Sequence, residues 1–133
     1  MTKFADLAQV DRERATAIQD IHLLVDAAHT LRTQLERCEA TYARTIERLE
    51  SNTPVSEILK SVEACDARIA LNAGLVELEN ARHRSRLTII GAEMAEGTSI
   101  SDVGRDWGFS RQMAQRYVKE ARTGSWTSSH EGV

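Results

Sequence analysis

Six side chains near the C-terminus have types and spacing that could do chemistry. If residues 110–122 are helical, with Ala114, Tyr117 and Val118 turned toward a core, the opposite face carries Ser110, Arg111, Gln112, Gln115, Arg116 and Lys119. A guanidinium can bond guanine at two points, and a carboxamide can do the same for adenine. Arg111, Gln112, Gln115 and Arg116 are therefore candidates for reading base edges in a major groove. Ser110, with the free amides at its helix start, and Lys119 suit phosphate oxygens. Arg105, Arg84, Arg86 and Arg122 could add phosphate contacts. The plain alternative is an ordinary solvated helix face that happens to carry two arginines.

The surrounding residues predict how that face is held. A helix from about Ser85 to Glu96 would turn Leu87, Ile90 and Met94 inward, and Gly97 would stop it. Ser99 can cap a second helix, with Asp102 near its positive N-terminal end. That helix buries Ile100, Val103 and Trp107 and ends at Gly108, where the chain needs a positive φ. Phe109 plugs the corner, and Ser110 caps a third helix running to about Arg122, before Gly124.

The stretch MAEGTSISDVGRDWGFSRQMAQRYVKEA resembles the helix-turn-helix of bacterial regulators, especially the homeodomain-like type at the C-terminus of Hin-type recombinases. Ile100, Val103, Gly104, the Trp107-Gly108-Phe109 turn, Ala114 and Tyr117 occupy the positions that carry this resemblance. Ala114 is smaller than the branched residue usual there. The resemblance covers residues 85–122 of the 133. It implies a recognition helix at about Ser110–Arg122 lying in the major groove of double-stranded DNA. It does not extend to a recombinase's catalytic domain, because residues 1–81 read as wholly helical. One such unit binds weakly, and dimers reading two half-sites about 34 Å apart remedy that.

The means of dimerising would lie before this segment. From about Thr2 to Glu50 there is neither Pro nor Gly. A heptad places Leu7, Arg14, Ile21, Ala28, Leu35, Tyr42 and Leu49 at a, and Val10, Ala17, Leu24, Leu31, Cys38 and Thr45 at d. Only Arg14 and Thr45 break the apolar stripe, and Ile18, Val25 and Ile46 widen it at e. Arg14 is expected to be a solvated helix end. The helix would span roughly 70 Å at ~1.5 Å per residue, and it cannot bury such a stripe alone. Ser51-Asn52-Thr53-Pro54 ends it, with Thr53 capping a second helix whose first residue is Pro54. That helix runs into the eighties, with Val55, Ile58, Val62, Cys65 and Ile69 on one stripe and Leu71, Leu75 and Leu78 on a shifted face. A short link between two such helices predicts an antiparallel hairpin, and two hairpins could pair into a four-helix assembly.

The totals agree with a helical protein of this size. Aromatics make up 5% of the chain and Pro occurs once, which disfavours sheets. The formal net charge is −3, but it is unevenly spread. Residues 1–81 hold 9 Lys+Arg against 14 Asp+Glu, whereas residues 82–133 hold 8 against 6. The basic side chains are thus concentrated in the segment with the candidate DNA-reading face. No apolar run approaches the ~18 residues of a membrane span, and the charged start lacks a signal-peptide core. A cytoplasmic, nucleoid-associated protein is expected.

Cys38 and Cys65 read as buried small residues rather than a disulfide or metal site. His22, Asp26 and His29 could share one helical face, but no fourth ligand accompanies them. No phosphate-cradling Gly loop, catalytic triad, cofactor site or small-molecule ligand is evident, and no enzyme activity is expected. Trp107 reads as core, and Trp126 has no packing role that the sequence assigns.

The expected fold is all-α: a long N-terminal antiparallel helical hairpin (coiled coil) over 1–81, a three-helix helix-turn-helix domain over 82–122, and a flexible tail over 123–133. The expected function is sequence-specific transcriptional regulation by a homodimer or higher homo-oligomer. Two further readings stand beside it. One is a DNA-organising protein of nucleoid, plasmid or phage origin; the other is a helical adaptor that binds another protein and no DNA.

Overall fold

A computed structural model describes residues 6–124, and these are helical with short connections. In order, the elements are α1 (Leu7–Glu50), α2 (Val55–Leu59), α3 (Val62–Ala95), α4 (Ile100–Trp107) and α5 (Arg111–Thr123). No strand occurs among the described residues. Nor is any helix among them long and apolar enough to cross a membrane. The expected helical start at Thr2–Ala5 and the tail with Trp126 lie outside the described residues. The chain forms two compact units: Val25–Glu79, and the residues up to Leu24 together with those from Asn80 onward.

In the Val25–Glu79 unit, α1 and α3 run antiparallel. Gln34 packs on Gly74, the Cys38 thiol donates to the Ala67 carbonyl (3.8 Å), and Arg44 Nε bonds Glu63 Oε2 (3.1 Å), so position numbers rise on one helix as they fall on the other. The row of α1 turned inward here is Ala27, Leu31, Gln34, Cys38, Thr41 and Thr45, spaced alternately by four and three. It meets Ala67, Leu71 and Gly74, the less exposed row of α3. The expected d positions are indeed inside, but the expected a positions are not: Leu35, Tyr42 and Leu49 are about half exposed. Small residues explain the rotation. Ala27, Ala67 and Gly74 allow the two backbones to approach, whereas the bulky a residues would hold them apart.

The second helix differs from expectation as well. Pro54, not Thr53, is the N-cap of α2, and no side chain caps it. α2 stops after five residues instead of continuing. The Ser61 amide bonds Ile58 O at 3.2 Å, a tight last turn, and the Ser61 hydroxyl accepts the Ala64 amide at 3.3 Å. A serine that satisfies an amide three residues on starts a new helix in place of the old one. Ile58 is buried, but Val55, Val62 and Ile69, expected on its stripe, are exposed.

The connection after α1 is set by Asn52, which takes a left-handed φ of 62°. The Thr53 amide then reaches Arg48 O (3.0 Å) and the Asn52 amide reaches Leu49 O (3.2 Å), satisfying carbonyls the helix end would otherwise orphan. At its other end, α1 is capped by Asp6, whose Oδ1 accepts the Ala8 amide at 3.0 Å.

In the other unit, the separate helix expected over Ser85–Glu96 is instead the C-terminal part of α3, which passes residue 82 without a break. A Gly-terminated end follows: Gly97 takes a φ of 96°, and the Thr98 amide bonds Glu93 O at 3.2 Å. Leu87, Ile90, Val103 and Val118 are the largest fully buried side chains. Met94, Ile100, Trp107, Phe109, Tyr117 and Ala121 pack around Ile90, Val103 and Val118. Arg14 is exposed, as expected, and its guanidinium pairs with Glu96.

Candidate nucleic-acid interface

The geometry of α4 and α5 follows from a few local bonds. Ser99 Oγ accepts the Asp102 amide at 3.1 Å and starts α4. Gly108 ends it at φ 71°, a conformation that costs a residue with a Cβ roughly 1–2 kcal/mol. In that turn the Phe109 amide bonds Gly104 O at 2.8 Å, which reverses the chain within one residue. Ser110 Oγ then accepts the Met113 amide at 3.1 Å and starts α5. Gly124 closes α5, its amide bonded to Glu120 O at 2.9 Å.

Two small residues bring the helices together. A Cβ on Gly104 would lie 3.2 Å from Ala114 Cβ, so the bare glycine and the small Ala114 form one close contact. The turn itself is apolar: the Trp107 and Phe109 rings stack at 5.7 Å, and Phe109 meets Tyr117 at 5.0 Å.

With Ala114 and Val118 buried, the remaining side chains of α5 divide cleanly. Ser110, Arg111, Gln112, Gln115, Arg116, Lys119 and Arg122 are all exposed. Met113 is 38% exposed beside them. The first turn of α5 has no acidic residue. Its one carboxylate, Glu120, is half-buried and bonds His83 Nε2 at 3.2 Å. The exposed face therefore carries cations and carboxamides without a competing carboxylate. Arg116 keeps its guanidinium 5.4 Å from the Tyr117 ring centroid.

The other candidate cations are placed differently. Arg105 is exposed and bonds Asp102 at 3.1 Å, which partly neutralises it. Arg86 is half-buried; it donates to Tyr117 Oη at 3.0 Å and lies 5.3 Å from that ring's centroid. Arg84 is half-buried on α3. The structure thus gathers Ser110, Arg111, Gln112, Gln115, Arg116, Lys119 and Arg122 on α5, and leaves Arg84 and Arg86 on a separate helix.

One acidic group nearby was not anticipated. Glu93 accepts from the Trp107 indole Nε1 at 3.2 Å. Burial pushes its carboxyl above the usual range, and a hydrogen bond with Asp106 pushes the same way, with the Trp107 bond acting against both. No spacing rule connects residues 93, 106 and 107, because α4 must first fold back on α3. Among the described residues, no group of three His, Cys, Asp or Glu side chains could hold a metal ion. No family model, curated protein or solved structure matches the chain.

Proposed function

We propose that this protein binds double-stranded DNA in a sequence-specific way, as a homodimer, and regulates transcription from the sites it occupies. In this reading α4, the Gly108 turn and α5 form a helix-turn-helix, and α5 is the recognition helix. The antiparallel α1 and α3 form the dimerising hairpin. The observation that carries the reading is the divided surface of α5: the buried apolar Ala114 and Val118 on one side, and a carboxylate-free row of Ser110, Arg111, Gln112, Gln115, Arg116 and Lys119 on the other. A helix of this kind enters the major groove with its N-terminal side chains at base edges.

Roles follow from position. Arg111 and Gln112 in the first turn, with Gln115 and Arg116 in the next, take the base edges. Ser110 and Lys119 flank them and suit phosphates, and Arg122 extends the same side. Arg105 reaches phosphate only by leaving Asp102. Association with the nucleoid would follow from such binding.

Selection from randomised duplex DNA at near-physiological salt tests the reading. An enriched motif, above all one with two-fold symmetry, supports it. Binding without enrichment would replace it with a DNA-organising role. Absence of binding even at low salt would overturn both and leave a protein-binding adaptor.

A further inference from the structure

Each residue of the α1 row packed toward α3 is followed by one that faces solvent. Advancing Ala27, Leu31, Gln34, Cys38, Thr41 and Thr45 by one gives Ala28, Arg32, Leu35, Glu39, Tyr42 and Ile46, all exposed. One residue turns an α-helix by about 100°, so these six form a second straight row beside the first. Its spacing alternates between four and three, the pattern of a helix-packing seam. Val25 extends it by one step and is 58% exposed; Leu35, Tyr42 and Ile46 are 44%, 50% and 57% exposed. Nothing in its own unit covers this row.

The order of residues along the row says what does. Reversed about Leu35, the row complements itself. Arg32 exchanges with Glu39, small Ala28 with large Tyr42, and Val25 with Ile46. We infer that this face of α1 is the interface between two copies of the chain, paired antiparallel about a two-fold axis at Leu35. This inference rests on the homodimer of the preceding section and gives it a surface and an orientation. A two-fold contact must be self-complementary, because the same patch serves both subunits. Antiparallel pairing sets Leu35 on Leu35 and puts each Arg32 opposite Glu39 of the second copy. It also fits Tyr42 of one copy over Ala28 of the other. Parallel pairing would set Arg32 against Arg32, Glu39 against Glu39 and two tyrosines in one layer. An unrelated partner gives no reason for the row to read the same in both directions.

The charges fit this pairing. Arg32 uses one nitrogen on His29, 2.8 Å away, and a guanidinium has donors left for a carboxylate. The apolar residues Val62, Ile69 and Val76 form a different row, on α3, outside the α1 seam.

The test uses the full chain without DNA. Sedimentation should show a dimer. Glu39→Arg sets guanidinium groups against each other at two symmetric places and should raise the dissociation constant by at least about tenfold. Arg32→Glu should do the same, and the double exchange should restore the dimer. Under mild oxidation, Leu35→Cys should form an interchain disulfide that the wild type does not. Val25→Cys should not, because its two copies would lie about 30 Å apart. A monomeric wild type overturns the inference, as does cross-linking through Val25→Cys alone. So does a dimer that survives Glu39→Arg but is lost with Ile69→Glu. A chain that dimerises this way yet ignores DNA would sink the DNA reading alone. A chain that binds DNA as a monomer would sink this inference and the homodimer with it, and leave the DNA reading of α5 standing.

Discussion

The two ends of α3 pack with opposite kinds of side chain. Toward Asn80–Ala95 it buries Leu87 and Ile90 almost completely, and Ile90 clusters with Val103 and Val118. Within Val25–Glu79 it offers Ala67 and Gly74, against α1 residues as small or polar as Ala27, Cys38 and Thr41. The difference follows from what each end must hold. Two short helices, of eight and thirteen residues, are marginal alone and need a core of large apolar groups. Two long antiparallel helices meet along many turns, and close backbone approach suffices. That arrangement leaves the large apolar residues of α1 outside, on a face available for another contact.

The largest expected effect lies in the large-residue core. Ile90→Ala removes a fully buried side chain between α3, α4 and α5 and should cost about 2–5 kcal/mol. Thermal unfolding monitored by circular dichroism should show it, and DNA binding should fall with it. A loss under about 1 kcal/mol would mean that this cluster is no denser than the α1–α3 seam.

The proposed DNA-reading side of α5 should separate binding from folding within that unit. Arg111→Ala or Arg116→Ala should weaken binding to a selected site by about 1–3 kcal/mol and relax base preference there. Neither should move the melting temperature appreciably, since both side chains are exposed. Two variants that bind as well as wild type would remove α5 as the recognition helix.

These two regions were also unequally legible in the sequence. The caps at Ser99 and Ser110, the turn at Gly108 and the inward Ile90, Val103, Ala114 and Val118 could all be read directly. Each depends on neighbours within a few residues, and on large apolar groups that mark a core. The long helices were legible as helices but not in their rotation. Counting apolar residues sets Leu35, Tyr42 and Leu49 beside Leu31 and Cys38, whereas Leu31 and Cys38 turn inward together with Ala27, Gln34 and Thr41, two of them polar. The break at Lys60–Ser61 was missed because Ser61 looks like any polar helix residue until its hydroxyl bonds the Ala64 amide. The bond from Arg86 to Tyr117 was not legible, because the two lie thirty-one positions apart.

The small-residue seam should be more forgiving than the core. Cys38 is 3% exposed, and its thiol makes only a long bond to the Ala67 carbonyl. Cys38→Ala removes one atom and should cost about 1 kcal/mol. Cys38→Leu should cost more, because a bulkier group there must force α1 and α3 apart, at about 1–3 kcal/mol. Urea unfolding of the three chains would give this order. A leucine variant as stable as wild type would mean that the seam is loose rather than close-packed.

The smallest expected effect concerns Glu93. Its carboxyl is raised above the ordinary range by burial and by Asp106, with Glu96 adding a like charge nearby. A raised carboxyl binds its proton more tightly in the folded protein than in the unfolded chain. Its stabilising contribution is therefore complete below the unfolded value and is lost as pH rises through the folded one. At neutral pH the ionised group sits against Asp106 and Glu96, although Arg14 pairs with Glu96 and moderates that repulsion. Glu93→Gln keeps an oxygen for the Trp107 indole and offers Asp106 a donor, as the protonated acid would. It should raise stability at neutral pH by a few tenths of a kcal/mol, given solvent screening, and flatten the change in melting temperature across mildly acidic pH. Glu93→Ala should not, because it strands the indole donor. If the glutamine variant instead melts lower than wild type at neutral pH, the charge at Glu93 is stabilising, and the Trp107 bond outweighs burial and Asp106.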